Sequence, residues 1–388
     1  MGSDGRMENR LTPDWGDAKH VILYGCGNVA RACLGKIQKD FSVDYIIDQM
    51  GEMARSWNGC KLLAPKQGLK QRTRQKIIVM TGGRVYQEIA FSLQMAGLKE
   101  YEDFCSIEYF FTCWYWTFRE ENVVMELHMA LTMRCTLRCA NCNMFVPYYE
   151  RPVTFTLRQL EEEIELLFQF VDYLGCLTLL GGEPFLYEDF ADFLMFLKAS
   201  YAGRIGTIKV ITNGTLLPEE RLLDALAAAE VWVSISDYTQ EVPYRKRLQA
   251  LQSLLDKKSI QTTFTEMREW CDFGFPEHPL AFAPEKCQAH RIACSPIFHG
   301  YNDGKIFYCH VVWSAEKIGR YHLQAKDFID LRALKREERH RISCHCLGDL
   351  DGGYVGLCQM CGGCGFDNKK LVSAGRQTKE TAHRSMKQ

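Results

Sequence analysis

No run of residues in this sequence is both long and charge-free enough to cross a bilayer. Even Ile164 to Leu180 is interrupted by Glu165 and Asp172. The amino terminus lacks the basic, apolar and small-residue order of a signal peptide, and Met1 to Arg6 reads as an added leader before a start at Met7. An excess of one charge is missing too. With 47 Lys and Arg against 48 Asp and Glu, the formal net charge is -1, so bulk electrostatics draw the chain to no polyanion. No segment joins clustered Lys or Arg to the aromatics of a nucleic-acid surface, and the basic stretch Lys66 to Lys76 is expected to be a solvated face. Neither a membrane nor a nucleic acid is therefore expected as a partner.

What is present is apolar mass and sulfur. The 388 residues are 47% hydrophobic, enough to fill two or three cores. There are 18 cysteines, half of them between Cys271 and Cys364. A secreted chain would spend them on disulfides. Without a secretion signal the expected setting is the reducing cytoplasm, where metal ligation is the better default and anaerobic function is expected.

The pattern divides into three regions of α/β character. In the first, residues 18–115, the strand His20 to Tyr24 leads through the glycine turn Gly25-Cys26-Gly27-Asn28-Val29-Ala30 into a helix over Arg31 to Gln38. Strands over Val43 to Asp48 and Lys76 to Thr81 follow, giving half of a nucleotide-binding sheet with Asp48 where an acid could meet ribose hydroxyls. One half-unit does not hold a dinucleotide, so a docking or dimerising module stands beside the ligand-binding reading. The dense aromatic run Tyr109 to Trp116 reads as core packing.

In the second region, residues 123–267, strands and helices alternate. The expected helices are Leu157 to Tyr173, Tyr187 to Leu197, Glu219 to Ala229 and Pro243 to Leu255, with Glu161 to Glu165 facing outward on the first. The expected strands end near residues 131, 180, 212, 235 and 265. Repeated strand-helix units demand right-handed parallel connections, so the sheet should curl into a partial barrel whose active edge lies at the carboxyl ends of its strands.

At that edge Cys135, Cys139 and Cys142 stand as C-x3-C-x2-C, directly after the strand-like Val124 to Leu131. Three thiolates close three corners of a cubane and leave one iron open to a chelating small molecule. A zinc knuckle would need a fourth nearby ligand, and His128 comes too early. Further on, Leu177-Thr-Leu-Leu-Gly-Gly-Glu-Pro184 ends another apolar run, followed by Ile211-Thr-Asn-Gly-Thr215 and Val231-Trp-Val-Ser-Ile-Ser-Asp237. With these four motifs in order, the chain resembles the radical S-adenosylmethionine (SAM) superfamily, although Asn141 replaces the aromatic residue usual before the third cysteine. The resemblance implies a partial (β/α)6 barrel and a [4Fe-4S] cluster on Cys135, Cys139 and Cys142. It also implies SAM contacts from Gly181, Gly182, Glu183, Pro184, Thr212, Asn213, Ser234 and Asp237, and reduction by a donor such as flavodoxin or ferredoxin.

The third region, residues 268–375, holds Cys294, a C-x9-G-x4-C spacing to Cys309 through Gly304, and Cys358-Gln-Met-Cys361-Gly-Gly-Cys364. Gly304 suits a tight hairpin between Tyr301 and Tyr308. The spacing resembles SPASM and shortened twitch domains, and implies an auxiliary [4Fe-4S] cluster on Cys294, Cys309, Cys358 and Cys361, with structural zinc as the plainer alternative. Cys344, Cys346, Cys364, Cys287 and Cys271 are then surplus; any of them could replace an assigned ligand, and together they could hold a second cluster. Of these, Cys364, Cys287 and Cys271 are candidate hydrogen-atom donors. The first region loosely resembles domains that precede sugar-modifying enzymes, so the expected substrate is small, hydroxylated and carbohydrate-like, undergoing dehydrogenation or epimerisation. Peptide maturation and a non-catalytic cluster scaffold or sensor are the alternatives. Trp270, His299, His310 and Trp313 are further pocket candidates, and Arg376 to Gln388 is expected to be disordered.

Overall fold

The computed structural model describes residues 11–294 and 299–378; the expected leader Met1 to Arg6 lies outside them. The chain forms two compact units rather than three. Of the described residues, those up to Met125 with Val171–Cys176 and Glu337–Asp349 make the first unit, and the remainder make the second.

The first unit is built on six strands: β1 (His20–Tyr24), β2 (Ser42–Ile47), β3 (Ser56–Trp57), β4 (Cys60–Leu63), β5 (Lys76–Val79) and β6 (Phe104–Ser106). Their order is β3-β4-β2-β1-β5-β6, parallel except for the β3–β4 pair. The helix Asn28–Asp40 buries Ala30, Cys33, Leu34 and Ile37 at three- and four-residue spacing. Ile22, Ile47, Ile77, Val79, Leu93 and Phe104 form the adjoining core, each full burial contributing roughly 1.5–3 kcal/mol. Asp48 does not stand free. Its two oxygens accept from the backbone N–H groups of Cys26 (3.0 Å) and Met50 (2.9 Å), fastening the glycine turn to the end of β2.

The aromatic run folds into the same unit, with Phe110–Trp114 buried as a π-helical turn against Trp15 and Phe41. Lys66, Lys70 and Arg74 are exposed, as a solvated face requires, whereas Lys76 is buried beside Asp14 at 2.5 Å. Glu337–Asp349, expected in the third region, belongs here, where Arg339 pairs with Asp172 at 2.6 Å. Cys344 and Cys346 go with it.

The second unit contains most of an eight-stranded sheet. Its strands are β7 (Val123–Thr132), β8 (Tyr173–Gly181), β9 (Ile205–Thr212), β10 (Trp232–Asp237), β11 (Thr262–Glu266), β13 (His299–Asn302), β14 (Lys305–Phe307) and β15 (Phe328–Asp330); β12 (Glu269–Cys271) and β16 (Leu371–Ser373) pair separately. The order is β11-β10-β9-β8-β7-β13-β14-β15. Five strands therefore run in sequence order, and β13 of the cysteine-rich region, not a sixth strand-helix unit, extends the sheet beyond β7 in parallel. Asn302 secures that seam through hydrogen bonds to both N–H and C=O of Ala130, each 3.0 Å. The expected domain boundary at residue 268 is thus crossed by a continuous sheet. The β13–β14 hairpin turns at Asp303 and Gly304, with φ of 57° and 67°, a left-handed pair matched to two-residue turns.

The helices Phe190–Tyr201, Glu220–Ala228 and Arg245–Lys257 fall within a few residues of expectation, whereas Leu157–Leu167 starts as expected but ends six residues before Tyr173, which begins β8. Leu157–Leu167 begins with a capping box between Thr156 and Gln159 and buries Leu160, Ile164 and Leu167. Glu163 departs from the outward-facing acidic cluster. It is buried, accepting from Gly304 N–H (2.5 Å) and Arg332 (2.7 Å), because the hairpin supplies donors that sequence position could not reveal. Among the described residues no helix is long and apolar enough to cross a membrane. All 18 cysteines are free thiols.

Candidate cluster and cofactor site

At the carboxyl end of β7 the chain enters the cysteine loop, which is stitched to the end of β8. Gly182 N–H donates to Thr132 O, and Glu183 N–H to Arg134 O, both at 2.8 Å. A Cβ on Gly181 would overlap Thr132 O, and one on Gly182 would overlap Arg134 O. These glycines are therefore demanded by the close approach of two backbones, before any ligand is considered. Within the loop, Cys142 N–H donates to Cys139 O at 3.2 Å and Leu137 N–H reaches Cys135 Sγ at 3.4 Å.

Glu183 is wholly buried and committed to protein partners. It accepts from Thr212 Oγ1 (2.7 Å), Asn213 N–H (2.8 Å) and Phe185 N–H (3.2 Å). Burial pushes its carboxyl up to about 7, and those hydrogen bonds offset only part of the cost. Pro184 starts the short turn after it. Asn213 lies against the cysteine loop, its Nδ2 3.1 Å from Thr136 Oγ1 and 3.6 Å from Cys135 Sγ.

A cavity of about 530 Å³ opens above this edge. Its lining includes Cys135, Cys139 and Cys142, Gly181, Gly182, Thr212 and Asn213, and also Cys294, Cys309, Cys358 and Cys361. Cys271 and Cys364 line it as well; Cys287 does not, being buried with its thiol 3.8 Å from Phe282 O. Glu183, Pro184, Ser234 and Asp237 are also absent from the lining, where Ser236 stands one strand repeat beyond Ser234. Asp237 instead accepts from Thr239 N–H at 2.7 Å, closing the turn after β10. Of the further candidates, Trp270 and His310 face the cavity, and His299 and Trp313 do not.

Burial pushes the Cys135 thiol up to about 12 and Cys139 to about 11, so both are protonated near neutral pH unless a metal displaces the proton. In the second group Cys294 and Cys364 lie sulfur to sulfur at 3.7 Å. The hydrogen bond from Cys364 holds the Cys294 thiol below its ordinary range despite burial. Cys309 is raised by burial and by the neighbouring Cys294, Cys361 and Cys358. Among the described residues no three His, Cys, Asp or Glu side chains are set to hold a lone metal ion.

Two features escaped the sequence reading. His128 faces the cavity from β7 and bonds Glu126 at 3.0 Å; Glu126 also accepts from Thr178 and Lys209, each at 2.6 Å. Burial alone would raise the Glu126 carboxyl, but His128 and Lys209 hold it well below the usual range. Alternating polar positions in an otherwise apolar strand were the available signal. The second feature, Arg291, is the one Lys, Arg, Asp or Glu in the described lining, fixed by Gly353 O (2.7 Å) and Tyr308 Oη (2.8 Å). Nothing local in the sequence distinguishes it.

A largely parallel α/β sheet thus carries the three-cysteine loop at its carboxyl edge. Residues 129–248 match the family model of the radical SAM superfamily, and the chain carries a radical SAM domain there. Among solved structures, anSMEcpe with bound AdoMet and Cp18Cys peptide is 17% identical over 36% of this chain and 42% of that chain, with a TM-score of 0.29. SuiB of Streptococcus suis bound to S-adenosylmethionine is 17% identical over 37% and 32%, with a TM-score of 0.30. BtrN in complex with AdoMet and 2-DOIA is 15% identical over 37% and 57%, with a TM-score of 0.29. The chain thus spans less than half the length of the first two. No curated protein matches it.

Proposed function

We propose that the chain is a radical SAM enzyme that takes a hydrogen atom from a small, hydroxylated, carbohydrate-like substrate, whose radical then loses its hydroxyl proton to solvent or a nearby base and one electron, which an auxiliary cluster would accept, giving net dehydrogenation. The observation that carries this reading is the meeting of two thiol groups in the lining of one cavity: Cys135, Cys139 and Cys142, and Cys294, Cys309, Cys358 and Cys361. A cubane takes three or four thiolate sulfurs, and each group has that number of cysteines in the cavity lining. When bound, the first cluster and SAM supply a 5′-deoxyadenosyl radical strong enough to attack a carbon–hydrogen bond.

The chain's own residues hold, orient and enclose. Cys135, Cys139 and Cys142 would hold three irons of a cubane, which would leave the fourth without a protein ligand. Glu183 fixes Thr212 and the Asn213 backbone at their strand end, and Asn213 in turn steadies the cysteine loop. Trp270 and Tyr238, edge to face at 5.5 Å, offer the apolar surface a sugar ring's C–H face prefers, while Arg291 and Asn141 offer donors to its oxygens. The electron would come from a flavodoxin- or ferredoxin-like donor. Epimerisation is the second reading, favoured by Cys271 and Cys364, thiols that line the same cavity beyond the four assigned to the auxiliary cluster.

Iron and sulfide counted in anaerobically reconstituted protein carrying Cys135→Ala, Cys139→Ala and Cys142→Ala test the arrangement. About one residual cubane supports the auxiliary site. No residual iron in a folded protein refutes it and turns the chemistry toward a single-cluster epimerase.

A further inference from the structure

The tail contributes to the cluster loop. After β16 pairs with β12, Ala374 N–H donates to Arg268 O at 3.0 Å, and Gly375, with φ of 81°, carries the chain across Tyr238, where an added Cβ would come within 2.9 Å of the side chain. The next three residues lie antiparallel to the middle of the cysteine loop, with Gln377 opposite Cys139. Ala140 N–H donates to Arg376 O at 2.7 Å, and Thr378 N–H donates to Arg138 O at 2.8 Å. Residues expected to be disordered thus clasp both sides of a cysteine.

The Gln377 side chain is fixed at both ends of its amide. Oε1 accepts from Arg138 N–H at 2.7 Å, so the amide group cannot be reversed without setting donor against donor. Nε2 is thereby aimed away from that contact, bonding Gly375 O at 2.5 Å and lying 3.4 Å from Cys139 Sγ. Reduction of an iron–sulfur cluster places more negative charge on its thiolate sulfurs, and an N–H dipole directed at one of them stabilises the reduced form more than the oxidised form.

Building on the assignment of Cys139 to the SAM-binding cluster, we propose that Gln377 is a positioning residue that raises that cluster's reduction potential through an N–H···S bond, with Arg376–Thr378 holding the loop in register. Two substitutions separate the parts of this role. Gln377→Glu keeps an acceptor for Arg138 N–H but loses the donor to sulfur and adds negative charge; Gln377→Leu loses both.

The experiment is an electron paramagnetic resonance redox titration of anaerobically reconstituted full-length protein, following the reduced-cluster signal that changes when SAM is added, alongside iron content. The expected result is normal iron in Gln377→Glu and a midpoint displaced to more negative potential, lowering the reduced-to-oxidised ratio at fixed potential by about tenfold, which for one electron is about 59 mV. Gln377→Leu should shift in the same direction by less, since it adds no charge. Unchanged midpoints in both variants overturn the proposal, as does loss of iron in both while the wild type loads normally, which would leave the tail a structural clasp alone. A wild-type protein with iron but no SAM-responsive signal would instead refute the cluster assignment beneath it.

Discussion

Glu183→Gln isolates the effect of one buried charge. Burial pushes the Glu183 carboxyl from its ordinary 4.5 to about 7 in the folded chain. Between those values the folded protein retains a proton that the unfolded chain has released, so stability falls as pH rises through the window. Each pKa unit corresponds to about 1.4 kcal/mol, so from about pH 5.5 to about pH 7.5 the wild type should lose about 2 kcal/mol relative to a variant with nothing to titrate there. Glutamine keeps an acceptor for Thr212 Oγ1 and sets its amide toward the Asn213 N–H, a mismatch whose cost does not depend on pH. The assay is urea denaturation of metal-free wild type and variant side by side, following the difference between them across the window. The variant should gain on the wild type as pH rises. A difference that stays flat, or moves the other way, would mean that Thr212 and the two backbone donors already outweigh burial, and would refute the reasoning.

Lys209→Met leaves the buried Glu126 carboxylate with only His128 and Thr178, and should destabilise the protein by about 3 kcal/mol by thermal or urea unfolding. Because the Glu126 carboxyl is held low, the stability it contributes is present above the ordinary carboxylate range and is lost as pH falls below it; the variant should already lack much of that acid-sensitive component. Gly182→Ala should force the cysteine loop off the end of β8, weakening two hydrogen bonds worth about 1 kcal/mol each and lowering iron content. Gly203→Ala, where an added Cβ meets open space, should leave both the thermal midpoint and iron content unchanged.

The elements that sequence pattern located well are those whose signal is local. β8 and β9 are apolar runs bounded by turns, the start of the helix at Leu157 shows in its apolar spacing, and the β13–β14 hairpin in Asp303-Gly304. The three-cysteine loop and the glycines at 181 and 182 were legible for the same reason: their spacing is set over a few residues. The failures concern partners distant in sequence. Glu163 turns inward because Gly304 and Arg332 meet it, and Glu337–Asp349 leaves its sequence neighbours because Arg339 finds Asp172.

The sequence alone therefore determined the α/β class, the order of strands and helices, and which cysteines stand together at a strand end, since periodicity and short spacing act through neighbouring bonds. Only the tertiary structure decided that both thiol groups line one cavity, that Arg291 and His128 face it, that Glu183 is spent on Thr212 and Asn213, and that Gln377 reaches Cys139. Those outcomes depend on which strands pair and which side chains are removed from water, and both are settled by packing across the whole chain.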